Sequence, residues 1–446
     1  MSISPARVSA YEMLLRVERD GAYSSELLHA PKYAKLSPVD HALATELVMG
    51  VLRWRSLLDT RIAAHSSQKL TRLDLEVLIA LRLACYQLIF LDRVPQHAAV
   101  NECVELVKRA RKRSAARFVN ALLRKLASEK AQRPEIPKAS DAAALSEASA
   151  HPRWLVDRWV QAFGLEPTRR ICEYNQQTPE TSLRISGPAL EGKLQSESIT
   201  LAGGGLLASA RRVTSGKITQ TELFRRGRVA IQDEGSQLVA LLVGQGSPIL
   251  DCCAAPGGKT RVLAQQNSSA MIVAAELHPQ RARLMRKLVS EANVHIVAAD
   301  ARTLPLNARF DRVLVDVPCS GTGTLARNPE IKWRLRPPGE NSGLVDLQHT
   351  QIEILQSAMQ RVAPGGRLVY STCSLEPEEN EQVIEKAMAA SSSFRVVHCR
   401  EELERLRGEK ELTWPDLDSL LNGPYLRTIP GVHACDGFFA AILEKV

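Results

Sequence analysis

From about residue 248 the chain repeats one pattern: a short run of Ile, Val, Leu and Ala, a stretch of helix length, then another run. The runs fall at 248–251, 271–276, 295–300, 313–316 and 367–370. Continuous apolar runs, with no polar alternation, belong to strands buried on both faces, so they predict a parallel sheet layered between helices. A late run at 437–443 would close that sheet. Four of the runs end in an acid: Asp251, Glu276, Asp300 and Asp316. Ligands of an open α/β sheet bind beyond the carboxyl ends of its strands, so the four acids are expected around one crevice. A single strand-end Asp is commonly the cap of the next helix, but four in one register favour a ligand site. At the end of the second strand a carboxylate can accept both hydroxyl protons of a ribose, which suits Glu276.

Between the first run and its helix lies Asp251-Cys252-Cys253-Ala254-Ala255-Pro256-Gly257-Gly258-Lys259-Thr260. The glycine pair lets backbone approach a ligand closely. The spacing is neither that of a P-loop nor GxGxxG, so it predicts a nucleotide-like cofactor rather than a bound dinucleotide or triphosphate. Two cysteines follow strand-like runs: Cys319 in Asp316-Val317-Pro318-Cys319-Ser320-Gly321-Thr322-Gly323, and Cys373 in Tyr370-Ser371-Thr372-Cys373-Ser374. On neighbouring parallel strands both thiols would face one pocket, and a thiol there can act as a nucleophile once it is a thiolate. Cys85, Cys103 and Cys172 sit on apolar helical faces and read as small buried hydrophobes. Cys252 and Cys253 read as packing and backbone-positioning residues.

The remainder divides by composition. Residues 1–130 carry apolar residues at helical spacing, as in Leu43, Leu47 and Val51 or Leu75, Leu78 and Leu81, with breaks at Gly21, Pro38 and Pro95. They predict an all-α bundle. This part holds 21 Lys and Arg against 13 Asp and Glu, nearly all of the chain's formal +9. The cluster Lys108–Arg113 with Arg117, Arg124 and Lys125 is expected as an exposed cationic face for a polyanion, most simply nucleic acid. Residues 131–150 read as a linker, and 151–235 as a small α+β module with a helix near 154–163 and a mobile loop at Gly203-Gly204-Gly205. Residues 236–446 form the α/β domain. Nine scattered cysteines without a CxxC pair exclude a patterned metal site and imply a reduced, cytoplasmic setting. No apolar run of about 18 residues predicts a membrane span. A monomer is expected.

The strings Asp251–Thr260, Asp316–Gly323 and Tyr370–Ser374 resemble motifs of the RNA cytosine-5 methyltransferases. So do Ile231-Gln232-Asp233-Glu234-Gly235-Ser236-Gln237, Asn328-Pro329-Glu330-Ile331-Lys332-Trp333 and Glu376-Pro377-Glu378-Glu379-Asn380. With a helical bundle in front, the chain is most similar to the bacterial Sun/Fmu-type 16S ribosomal RNA methyltransferases. That resemblance implies a NusB-like RNA-binding bundle, an RRM-like middle module and a Rossmann-like catalytic domain. It also implies S-adenosylmethionine as cofactor and an unpaired or flipped cytosine of 16S rRNA as substrate. It makes Cys373 the nucleophile at C6, assigns Cys319 to resolution of the adduct and product release, and places Asp316 near cytosine N3. Cys253, Ala254, Ala255, Pro256, Gly257, Gly258, Lys259, Glu276, Asp300 and Asp316 would hold the cofactor. Glu276 departs from the Asp usual there by one methylene. Whether Lys332 and Trp333 touch RNA or only pack stays open. So do two alternatives: a transfer RNA substrate, and a non-catalytic RNA-binding assembly factor. Two thiols and four acids kept together argue against the second.

Overall fold

The computed structural model describes the chain except residues 1, 2, 34, 130–135, 137–139, 186, 338 and 340–342. It forms two compact units: Met1–Thr178 with Leu325–Pro337, and Pro179–Thr324 with Pro338–Val446. Compactness thus divides the chain elsewhere than composition, which suggested boundaries at 130, 150 and 235.

In the first unit the long helices are Pro5–Asp20, Pro38–His65, Leu75–Phe90, Gln96–Arg109 and Ala116–Ser128. Ser37 starts the second by accepting from Asp40 N–H at 3.1 Å, with Pro38 in the first turn, where its missing N–H costs nothing. Leu75–Phe90 is buried around most of its circumference and is the centre of the bundle. Gly50 makes this packing possible, because a Cβ there would lie 2.0 Å from Tyr86 Cζ. The expected linker is in part structured. Asp141 caps a helix Ala142–Ala148 through the N–H groups of Ala143 and Ala144, and Leu145 is fully buried. One anchoring leucine in an Ala/Ser-rich stretch was too weak a periodic signal to predict it. The rest of that stretch lies largely outside the described residues. Helix Arg153–Phe163 stands where the pattern put it.

The segment Leu325–Pro337 belongs to this unit and is held by buried polar contacts. Lys332 Nζ donates to Arg53 O at 2.8 Å and Ala150 O at 3.2 Å, and Trp333 Nε1 to Leu52 O at 2.7 Å. Glu330 accepts from both the N–H and the hydroxyl of Ser24 at 2.8 Å. Lys332 is therefore a packing group, the blander of its two readings, whereas Trp333 is anchored by its indole N–H but stays partly exposed.

The second unit holds two sheets. The small one is antiparallel, made of β1 (Thr181–Arg184), β2 (Thr200–Gly203), β3 (Ala210–Ser215) and β4 (Ala230–Ile231), in the order β2-β3-β1-β4. Its turn after Gly203 differs from the mobile loop expected. Buried Glu234 accepts from the N–H groups of Gly205, Leu206 and Leu207 at 2.7–2.9 Å, which pins the turn.

The large sheet comprises β5 (Ile249–Asp251), β6 (Ile272–Glu276), β7 (Val294–Ala298), β8 (Phe310–Asp316), β9 (Val362–Thr372), β10 (Phe394–Val397), β11 (Leu421–Asn422), β12 (Tyr425–Arg427) and β13 (Phe439–Lys445). β7-β6-β5-β8-β9 run parallel, and β13, the late apolar run, joins β9 antiparallel. Strand order reverses at β5, between β6 and β8, which creates a crevice beyond the carboxyl ends. The short edge strands β10, β11 and β12 lacked a continuous apolar run and were not predicted.

Candidate active site

Strands β8 and β9 are hydrogen-bonded neighbours in register, with Asp316 opposite Ser371. The loops that leave them carry Cys319 and Cys373, so residues 54 apart in sequence meet, with Sγ···Sγ 3.2 Å. Backbone contacts lace the loops together. Gly323 N–H donates to Cys373 O at 2.9 Å, and Leu375 N–H donates to Thr322 Oγ1 at 2.8 Å. Gly323 has no room for a side chain, since a Cβ would lie 2.2 Å from Gly437 O. Both thiols are only partly buried. The Cys319 thiol is pushed well above the ordinary cysteine range, first by its hydrogen bond with Cys373, then by burial and by the charges of Cys373 and Glu379. These effects favour the protonated form of the Cys319 thiol.

Asp316, at the end of β8, accepts from Lys259 Nζ at 2.8 Å and from Ser371 Oγ at 2.8 Å. Burial alone would lower the Lys259 ammonium. The charge and hydrogen bond of Asp316, with smaller contributions from Cys373 and Asp251, outweigh it and hold the group above the usual lysine range. A fixed positive charge thus stands in the field of Cys373. Asp251 is 1% exposed. One oxygen accepts from Thr260 Oγ1 at 2.7 Å, and the other has no partner. Burial raises its carboxyl to about 7, against the lowering effect of Thr260. Glu276 ends β6 and accepts from His278 N–H at 3.0 Å, with Arg281 3.6 Å away.

Asp300 departs from the strand-end pattern. It lies two residues past β7, caps the turn Ala301–Thr303 through Arg302 N–H and pairs with the Arg302 guanidinium at 2.7 Å. The hydrogen bonds from Arg302 hold its carboxyl below the ordinary value. Three acids, rather than four, end their strands.

A cavity of about 460 Å³ opens beyond the carboxyl ends, lined by Cys253, Ala255, Glu276, Asp300, Asp316, Cys319 and Cys373 among others. Of the expected cofactor residues, Ala254, Pro256, Gly257, Gly258 and Lys259 do not line it; they shape the turn behind it. Gly257 has φ +105°, and a Cβ there would meet Val289 Cγ2 at 2.4 Å. Residues missed by the sequence reading complete the wall: Leu277, His278, Arg281, Arg302, Thr350 and Ile354. Leu277, half exposed directly after a strand-end acid, carried a signal that could have been read. Among the described residues no group of acids, histidines and cysteines is placed to hold a metal, and no helix is long and apolar enough to cross a membrane.

Comparison with known proteins matches three parts of the chain. Residues 238–444 match the family described as 16S rRNA methyltransferase RsmB/F, 4–128 the NusB family, and 151–188 the ferredoxin-like domain of RsmF/B-like methyltransferases. The chain is 32% identical over its whole length to a full-length Bacillus subtilis (strain 168) protein named probable ribosomal RNA small subunit methyltransferase B. It is 30% identical to the ribosomal RNA small subunit methyltransferase B of Klebsiella pneumoniae (strain MGH 78578), over 98% of both chains. Among solved structures, a methyltransferase homolog protein from Pyrococcus horikoshii is 26% identical, with a TM-score of 0.56 over 69% of this chain and 100% of that one.

Proposed function

The chain belongs to the 16S rRNA methyltransferase RsmB/F family, and from that premise we propose that it methylates C5 of a cytosine in small-subunit rRNA, with Cys373 as covalent catalyst and S-adenosylmethionine as methyl donor. The observation that carries this reading is the thiol pair at 3.2 Å beside the Lys259–Asp316 ion pair.

The crevice suits the methyl donor. Glu276 ends the strand next to the switch point, where a carboxylate takes a ribose diol. Gly257 gives a turn no side chain could occupy. The cavity volume lies in the usual range for small-molecule sites. Glu276, Cys253, Ala255 and Leu277 would hold the nucleoside, and when bound the cofactor supplies an electrophilic methyl group.

Cytosine C5 is too weak a nucleophile to take a methyl group unaided. Addition of the Cys373 thiolate to C6 forms an S–C6 bond and turns C5 into an enamine-like carbon. Asp316, which accepts from Lys259 at 2.8 Å, would stabilise a ring protonated at N3. Once C5 has gained its methyl, it gives up its proton to a base supplied from solvent. That electron pair then reforms the C5–C6 double bond and expels Cys373. The Cys319 sulfur, in contact with Cys373, is placed to assist this last step and to return a proton to the departing thiolate. Both C5 and C6 are hidden in a stacked duplex, so the target is an unpaired or flipped base. In the first unit, Arg111, Arg113, Arg117, Arg124 and Lys125 are exposed and form no ion pair among the described residues, whereas Lys108, Arg109 and Lys112 are paired with acids. The smaller free cluster supports an RNA-backbone contact.

Bisulfite sequencing of 16S rRNA and tRNA from cells with and without the gene tests the proposal. One cytosine of 16S rRNA should lose its mark. Loss confined to tRNA, or no loss, refutes it.

A further inference from the structure

One acidic side chain reaches both thiol loops without reaching the cavity. Glu379 is fully buried. Its Oε1 accepts from Ser320 N–H at 2.8 Å and from Gln351 Nε2 at 2.9 Å; its Oε2 accepts from the hydroxyls of Ser320 and Ser374. Gln351 Nε2 also donates to Pro318 O at 2.9 Å. The next residue, Asn380, donates to Ser374 O at 3.0 Å and accepts from Thr372 Oγ1. The partners of this pair and of Gln351 thus flank the two cysteines: Pro318 and Ser320 around Cys319, Thr372 and Ser374 around Cys373. Among the described residues no Lys or Arg pairs with Glu379. A carboxylate taken wholly from water without a counter-ion needs several good donors to be tolerated, and here four converge on it.

We propose that Glu379 is a positioning residue of the two-thiol centre, whose carboxylate ties the Cys319 loop to the Cys373 loop and so holds the sulfurs in contact. The inference rests on the reading of these two cysteines as the working pair. The carboxylate acts through Ser320 and Ser374 and touches neither substrate nor cofactor. A bidentate contact with Ser320 and a bond from Ser374 restrict the relative slide of the loops, which β8–β9 pairing alone does not, because both cysteines lie beyond the last paired residues. Its charge acts in the same sense. After the hydrogen bond with Cys373, burial and the Cys373 charge, Glu379 adds to the forces that keep the proton on Cys319.

The first arm of the test needs neither RNA nor methyl donor; the second follows methyl transfer. The full-length protein is treated with diamide, and formation of the Cys319–Cys373 disulfide is followed by peptide mass spectrometry. The two thiols lose two protons and two electrons, which reduce the azo group of diamide to a hydrazine. Sulfurs in contact should cross-link rapidly. In Glu379→Ala the rate should fall by about tenfold or more, and kcat for methyl transfer should fall alongside while the cofactor KM is unchanged, as expected when reacting groups lose alignment. Glu379→Gln keeps one acceptor oxygen for the two N–H donors and should fall between wild type and Ala. Wild-type cross-linking in Glu379→Ala overturns the proposal, as does a rise in cofactor KM with kcat unchanged. Should the alanine variant fail to fold, Glu379→Gln and Ser374→Ala carry the same test, and wild-type rates in both overturn it. Absence of cytosine methylation in the wild type would instead defeat the proposed function, leaving the cross-linking result to stand or fall alone.

Discussion

Lys332 offers a quantitative check on how the segment Leu325–Pro337 is held. Its ammonium is 1% exposed, donates only to two backbone carbonyls, and is pushed down to about 7 by burial, with nearby Arg53 acting in the same direction. An unfolded lysine stays protonated to above pH 10. Between pH 7 and 9 the unfolded chain therefore binds more protons than the folded one, so stability must rise with pH. At 1.36 kcal/mol per pH unit, less the part already titrated at the midpoint, the gain is about 2 kcal/mol over that interval. Below pH 7 both states are charged and the cost of burying the ammonium is constant. The chain has two compact units, so one global melting curve would mix them. Native-state hydrogen exchange by mass spectrometry, read on peptides from Pro38–His65 and 325–337, isolates the relevant opening. Wild type and Lys332→Met are compared at pH 7 and pH 9. The wild type should gain about 30-fold more protection than the variant over this interval, the equivalent of about 2 kcal/mol. Other titrating groups, such as buried Cys172, act on both proteins and cancel in the difference. Parallel pH dependences would refute the claim that burial pushes this lysine down to about 7.

Two further outcomes are expected. Glu276→Ala should weaken S-adenosylmethionine binding roughly tenfold or more by isothermal titration calorimetry, the loss of hydrogen bonds to a charged group; an unchanged Kd would remove Glu276 from the nucleoside site. Replacing Arg111, Arg113, Arg117, Arg124 and Lys125 by Ala should flatten the salt dependence of rRNA-fragment binding, with the log–log slope falling by roughly 0.7 for each phosphate no longer neutralised. An unaltered slope would show that the cluster is only a solvated face.

The parallel sheet was legible because its strands are buried on both faces and so write continuous apolar runs; β5, β6 and β8 end at the acids the pattern singled out. Asp300 was misplaced because a carboxylate that caps its own turn looks the same in sequence as one that ends a strand. The meeting of Cys319 with Cys373 followed from strand adjacency. The upward shift of the Cys319 thiol did not, since it depends on its hydrogen bond with Cys373, on burial and on the position of Glu379. The packing role of Lys332 was hidden because its partners are the carbonyls of Arg53 and Ala150, far away in sequence and without a side-chain signature. The cationic face was partly illusory for a similar reason: Lys112 finds Asp74, and Arg109 finds Glu12, only after folding.

The central claim is a division of labour between two touching thiols, and the stability of the covalent adduct measures it most directly. Cys319→Ala protein, incubated with a 16S rRNA fragment and S-adenosylmethionine, should accumulate an RNA–protein band that survives denaturing electrophoresis, with its cross-link mapped to Cys373. Cys373→Ala should give neither band nor methyl transfer. A denaturant-resistant band in Cys373→Ala, or full turnover by that variant, would contradict the account.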